Sequence, residues 1–316
     1  MSIVRALVVA VLLVACTPMR PQAIAAQPID SVSFEFVDAG RSKSIPVRVS
    51  FARGSKRLPL VLFSHGAYSS KDLYGPIVDA WARAGYVVVQ PTHMDSVSLG
   101  VARGAADPRF WPERLNDIEA LLADVARIEE AVPALRGRID AARVAMAGHS
   151  FGGMVAQTIG GATYFDPALN RTVSRAQPRV AAVVIMSGAG RFAPLLRDSD
   201  WAALQLPSLV TVGTNDLKQD PNRTGYEWRK EPYDFLPPGN KYLLTLTGAD
   251  HYLGGAVGRD DLPRDANAEA YVAAFNAVSI AFLNAHIKND SAARAKLAEW
   301  ARARAAAPLA AFESAR

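Results

Sequence analysis

The sequence predicts an α/β fold: a mostly parallel sheet of about eight strands, helices on both faces, and an antiparallel hairpin near the N-terminus. Three observations carry that expectation. Short β-branched runs alternate with helical patterns along most of the chain, the signature of a parallel sheet covered by helices. Six of those runs are almost continuously apolar, as strands buried on both faces are. The first two instead alternate apolar and polar residues, which suits a hairpin at a sheet edge. With 316 residues, half of them hydrophobic, the chain can bury one large core. Charged residues at 21% and aromatics at 8% exclude a disordered, collagen-like or multi-pass membrane protein.

The N-terminus comes first. Arg5 precedes an apolar run over residues 6–15 that is too short to span a bilayer comfortably but fits a secretory h-region, so residues 1–15 are expected to be a signal peptide. Leu13-Val14-Ala15-Cys16 resembles the lipobox of bacterial lipoproteins, in which the cysteine is lipidated. Cys16 is the only cysteine, so it has no disulfide partner within the chain, and lipidation accounts for its presence. Residues 16–30, with Pro18 and Pro21, then form a lipidated tether. A competing reading cleaves after Ala23-Ile24-Ala25 and releases a soluble secreted or periplasmic protein. Both predict export. In the first, the protein is a cell-envelope lipoprotein whose partner is the membrane, and Thr17 after the cysteine resembles lipoproteins sorted outward.

The hairpin is expected over residues 31–37 and 44–50, around a turn opening with Asp38-Ala39-Gly40. The buried strands follow at 58–63, 86–90, 143–147, 180–186, 208–212 and 242–246. Leu73, Ile77, Val78 and Trp81 share a helical face that stops at Gly85. Leu115, Ile118, Leu121, Leu122, Val125 and Ile128 repeat the pattern over a longer stretch, and Tyr271, Ala274, Phe275, Val278 and Phe282 make a third stripe. No repeat or polar linker interrupts the series, so residues 31–316 read as a single domain. Residues 191–206 are too few for a large lid, which predicts an open site. The formal charge is only +5, and the basic residues near the end (Arg294, Lys296, Arg302, Arg304 and Arg316) are diluted by alanine. They read as a solvated helix, with no nucleic-acid partner.

Chemistry concentrates where strand 143–147 runs into Gly148-His149-Ser150-Phe151-Gly152-Gly153. A G-x-S-x-G turn between strand and helix lifts the serine hydroxyl clear, which makes Ser150 the candidate nucleophile. On such an elbow the partners follow in the order serine, acid, histidine. His65, His93 and His149 precede Ser150, leaving His251 and His286. His286 ends a helical stripe, the place of a surface or capping histidine, whereas His251 lies in a loop just past a strand and is the candidate base. Asp216, directly after strand 208–212, is the candidate acid, with Asp220 and Asp250 as rivals. An oxyanion needs two backbone donors. Phe151 is one, and Ala67, beyond the turn at Gly66, is the other, with Tyr68 as its alternative. Phe110, Trp111, Tyr68 and Tyr252 stand where they can wall a substrate pocket. No metal-ligand spacing or phosphate loop occurs, so no metal and no cofactor are expected.

Taken together, Phe63-Ser64-His65-Gly66, the elbow, Gly213-Thr214-Asn215-Asp216 and Ala249-Asp250-His251 resemble a bacterial α/β-hydrolase. The branch in question includes dienelactone hydrolase-like proteins, chlorophyllases, platelet-activating-factor acetylhydrolases and polyester-degrading cutinases. The resemblance implies a serine esterase that cleaves a small-molecule or lipid ester through an acyl-enzyme, with an acyltransferase or a non-catalytic binding protein as alternatives. Two departures stand out. Dienelactone hydrolase proper uses a cysteine where this chain has Ser150, and the disulfide frequent in secreted polyesterases cannot form with Cys16 alone.

Overall fold

The computed structural model describes residues 27–217 and 225–315. The expected signal peptide, the lipidation site Cys16 and the rival acid Asp220 lie outside the described residues. In chain order the elements are β1 (Ile29–Asp38), β2 (Lys43–Ala52), β3 (Leu58–Ser64), α1 (Gly75–Arg83), β4 (Val87–Pro91), α2 (Phe110–Ala123), α3 (Val125–Ala131), β5 (Ile139–His149) and α4 (Phe151–Gly160). They continue with β6 (Tyr164–Asp166), β7 (Arg171–Val173), β8 (Val180–Met186), β9 (Ser208–Gly213), α5 (Glu227–Phe235), β10 (Lys241–Leu246), α6 (Ala268–Ile287), α7 (Ser291–Ala303) and β11 (Ala310–Ser314).

Nine strands form one sheet in the order β1-β2-β4-β3-β5-β8-β9-β10-β11. The strands from β4 to β10 run parallel. β1 and β2 pair antiparallel at one edge, as their alternating pattern predicts. At the other edge β11 pairs antiparallel with β10. That ninth strand is missing from the sequence reading because Ala310 to Ser314 has no β-branched residue to announce it. β6 and β7 form a separate two-stranded ribbon.

Both faces of the sheet are covered. On one, Leu115, Ile118 and Leu121 of α2, Ile128 of α3 and Val155 and Ile159 of α4 pack over the strands. On the other lie Ile77, Val78 and Trp81 of α1, Phe275, Val278 and Phe282 of α6, and Leu297 of α7. Each such side chain taken out of water stabilises the fold by roughly 1.5–3 kcal/mol. The stripe from Leu115 to Ile128 is two helices rather than one. At Asp124 the backbone leaves the helical region, and its carboxylate caps a new helix by accepting the Arg127 amide. Between β8 and β9 the chain makes only a short 3-10 turn, Asp198–Ala203, together with loops. The carboxyl ends of β3, β5, β9 and β10 therefore meet along one rim, where ligands bind in open α/β sheets.

Candidate active site

Ser150 sits between the last residue of β5 and the first of α4, with φ +56° and ψ −116°. A non-glycine residue held there stores about 1–3 kcal/mol of strain, which the surrounding packing must sustain. Two features sustain it. The Ser150 amide donates to the Met186 carbonyl at the end of β8 (2.8 Å), and the glycines let backbones touch. A Cβ on Gly148 would lie 2.0 Å from the Gly152 oxygen, and one on Gly152 would lie 1.9 Å from the Ser64 oxygen. Neither position can carry a side chain in this turn.

Asp216 and His251 are brought together from the ends of β9 and β10. His251 Nδ1 lies 2.9 and 3.0 Å from the two carboxylate oxygens, so the ring donates from Nδ1 and Nε2 is left as a base. Burial raises the Asp216 carboxyl, but its bond to His251 and the charges of His251 and Arg229 outweigh this and bring it down to about 2. Arg229 Nε stands 3.4 Å from the carboxylate, while its Nη1 donates to the Ser187 carbonyl at 3.0 Å. Asp216 is 2% exposed and the His251 side chain 18% exposed, so the imidazole alone reaches solvent. The Ser150 hydroxyl makes no hydrogen bond among the described residues, an arrangement that tightens in many hydrolytic sites only when substrate arrives.

Both rivals for the acid and base roles have other work. Asp250 accepts the amides of Tyr252 and Gly254, a turn former. His286 packs against Tyr242 and Phe282 at the amino end of β10, away from the elbow, and is half-buried rather than a surface or capping residue.

The two expected amides differ from their alternative in one respect. Tyr68 donates its amide to Asp95 Oδ2 at 3.2 Å. The amides of Ala67 and Phe151 have no acceptor among the described residues, which leaves them as the pair able to receive an oxyanion. Of the aromatic residues, Trp111 stacks on Phe151 with ring centroids 5.9 Å apart and meets Tyr164 edge-on at 5.3 Å. Tyr252 stands edge-on to His251 at 5.0 Å. The Tyr68 hydroxyl is committed to the Ala105 carbonyl at 2.9 Å.

Several polar residues around the site escape a sequence reading. His149 Nε2 donates to the His251 carbonyl (2.8 Å), so its Nδ1 is the acceptor for the Tyr74 hydroxyl (2.9 Å), which in turn accepts the Gly66 amide (2.9 Å). One neutral imidazole thus ties the His251 loop to the loop after β3, and burial holds its pKa well below the ordinary value. Arg114, Asp95, His65, His93 and Asp117 form a second buried polar cluster beneath that loop. A signal for two of them exists in the sequence: Arg114 and Asp117 fall on the apolar stripe of α2, at i−4 from Ile118 and from Leu121, where charge is costly unless paired. Among the described residues, no group of three or more histidine, cysteine, aspartate or glutamate side chains is arranged to hold a metal ion.

A family model described as the alpha/beta hydrolase family matches residues 61–315, a stretch that holds the elbow, Asp216, His251 and both free amides. No curated protein sequence matches the chain significantly.

Proposed function

The chain belongs to the alpha/beta hydrolase family, and on that premise we propose that it is a serine hydrolase cleaving carboxylic esters through an acyl-enzyme. The observation that carries this reading is the doubly bonded Asp216–His251 pair standing at the rim beside the strained Ser150 turn. His251 Nε2 takes the Ser150 proton as Oγ attacks the ester carbonyl, and the Phe151 and Ala67 amides receive the oxyanion. His251 then returns the proton to the departing alcohol. Water, deprotonated in turn by His251, attacks the acyl group, and the serine leaves with the proton restored. Asp216 fixes the tautomer and stabilises the imidazolium.

Supporting the finer points are the motifs that resemble the dienelactone hydrolase-like, chlorophyllase and acetylhydrolase branch, and the lipobox-like Leu13-Val14-Ala15-Cys16. On these we propose an exported enzyme, anchored through Cys16 and acting on a small-molecule or lipid ester, with Trp111 and Tyr252 as pocket walls. The test is hydrolysis of p-nitrophenyl esters from acetate to palmitate by protein starting at Gln27, beside Ser150→Ala. The serine enzyme should turn over at least part of the series, and the variant should lose about 10³-fold or more with an unchanged circular dichroism spectrum. Equal turnover in the variant, or none by the folded parent on any chain length, would overturn the assignment.

A further inference from the structure

The Arg114 guanidinium is fully buried, and each of its five N–H groups has an acceptor around one loop. Nε and Nη2 grip Asp95 Oδ1 and Oδ2 at 2.9 and 2.7 Å. The second Nη2 hydrogen goes to the Gly66 carbonyl at 3.0 Å, and Nη1 serves the His65 carbonyl (2.5 Å) and Ser64 Oγ (3.4 Å). Its central carbon also lies 4.6 Å over the Phe151 ring. One cation thus touches both residues whose amides are free at the site: Phe151 through its ring, and Ala67 through the peptide that carries its nitrogen.

That peptide is the important contact. In a trans peptide the C=O and N–H point in opposite directions, so whatever holds the Gly66 oxygen also aims the Ala67 hydrogen. The Gly66 oxygen is held by three donors. Besides Arg114, it accepts His65 Nδ1–H at 2.7 Å and the Ser69 amide at 3.2 Å. The His65 proton is on Nδ1 because Nε2 accepts the His93 amide at 2.9 Å. A carbonyl pulled by a full positive charge and two dipoles withdraws electrons from its own N–H and makes it a stronger donor. Asp95 completes the arrangement by taking the neighbouring Tyr68 amide, so only Ala67 is left to donate. A buried Arg–Asp pair adds little net stability over well-packed apolar residues, so stability alone does not account for this one.

We propose that Arg114, locked by Asp95, is a positioning residue for the oxyanion: it orients and polarises the Gly66–Ala67 peptide so that the Ala67 N–H meets the developing charge. The proposal rests on the ester-hydrolase reading and deepens it. Two variants test it: Arg114→Lys, and the double change Arg114→Gln with Asp95→Asn, which removes both buried charges together. Measured on the best p-nitrophenyl ester, kcat should fall about 10²-fold or more while KM stays within about threefold. A trifluoromethyl ketone of matching chain length, which forms a hemiketal oxyanion on Ser150, should lose affinity by a similar factor. The corresponding alcohol, a ground-state ligand, should bind as before, a separation that general loosening of the fold would not produce. Folded variants with kcat within about threefold of the parent would overturn the proposal. If neither variant folds, the parent decides: the Ala67 amide proton must move downfield when the ketone adduct forms, and an unmoved resonance overturns the proposal. Failure of the reading beneath it is recognised separately, by a parent enzyme that neither hydrolyses esters nor is labelled at Ser150 by a fluorophosphonate.

Discussion

Among the described residues lie two aspartate–histidine pairs of closely similar geometry, and each has a serine nearby. His93 Nδ1 is 3.0 Å from Asp117 Oδ2, and its Nε2 is 3.0 Å from Ser64 Oγ. His251 Nδ1 is 2.9 and 3.0 Å from Asp216, and its serine, Ser150, makes no such bond. By hydrogen bonds alone, the first set is the better-formed triad. Yet Ser64, His93 and Asp117 are all fully buried, Ser64 ends a regular strand, and Asp117 is also engaged by Arg41 and Lys43 at 2.8 and 2.7 Å. The second set has an accessible imidazole, a serine on a strained turn and two amides without acceptors. A complete polar network inside a core satisfies itself and specifies packing, whereas a reactive site keeps polar groups that only an incoming molecule satisfies.

That contrast is broken most severely by treating the two aspartates alike. Asp216→Asn should lower kcat about 10³- to 10⁴-fold with little change in urea midpoint, because the amide favours the wrong tautomer of His251. Asp117→Asn should do the reverse, costing about 1–3 kcal/mol of stability by weakening the acceptor of His93 Nδ1 and leaving Arg41 and Lys43 with Glu113 as their shared partner, with kcat per folded molecule changed less than about tenfold. Matched losses of activity in both variants would show that the buried set takes part in the chemistry.

Acid separates the pairs next. Burial pushes the His65 and His149 pKa well below 6.5, and that of His93 below it, so the folded state refuses protons that the unfolded chain takes up. Stability is therefore full above about pH 6.5 and falls as pH drops, by up to about 1.4 kcal/mol per pH unit for each imidazole. Asp216, held down to about 2 in the fold, gives up its contribution only below about pH 4, as it protonates. Urea midpoints measured from pH 7.5 to 5 should slope downward, and a flat profile would mean that these imidazoles take up protons as readily in the native protein as in the unfolded chain. The smallest effect is expected from Ser64→Ala, which leaves His93 Nε2 without a partner and removes the longest of the Arg114 contacts, at 3.4 Å, while the other Nη1 bond to the His65 carbonyl stays. It should cost about 1 kcal/mol of stability and leave esterase activity within about threefold.

Legibility in the sequence divided along the same line as the chemistry. The elbow and the strand-end positions of the candidate acid and base were readable because each is a local event, a strand ending in a turn with a polar residue at a fixed offset, as at Gly148 to Gly152 and Gly213 to Asp216. The supporting shell was not. Tyr74 meets His149 75 residues on, His149 meets the His251 loop 102 residues on, and Arg114 meets the loop after β3 48 to 50 residues back, and no spacing relates them. The break at Asp124 and the strand β11 were missed for a different reason: a cap can interrupt an unbroken apolar stripe, and an edge strand of small residues forms because β10 offers unpaired backbone, not because its own residues favour extension.

By itself, then, the sequence determined the edge hairpin, the six buried strands and the three helical stripes, where the chain must turn sharply, and which serine, histidine and aspartate stand at strand ends, since periodicity and glycine placement act over a few residues. The tertiary structure alone decided which of two similar Asp–His pairs meets solvent and which amide, Ala67 or Tyr68, stays free. Those outcomes depend on burial and on long-range partners such as Arg114 and Asp95, which come into contact only once the sheet has assembled and brought its rim loops together.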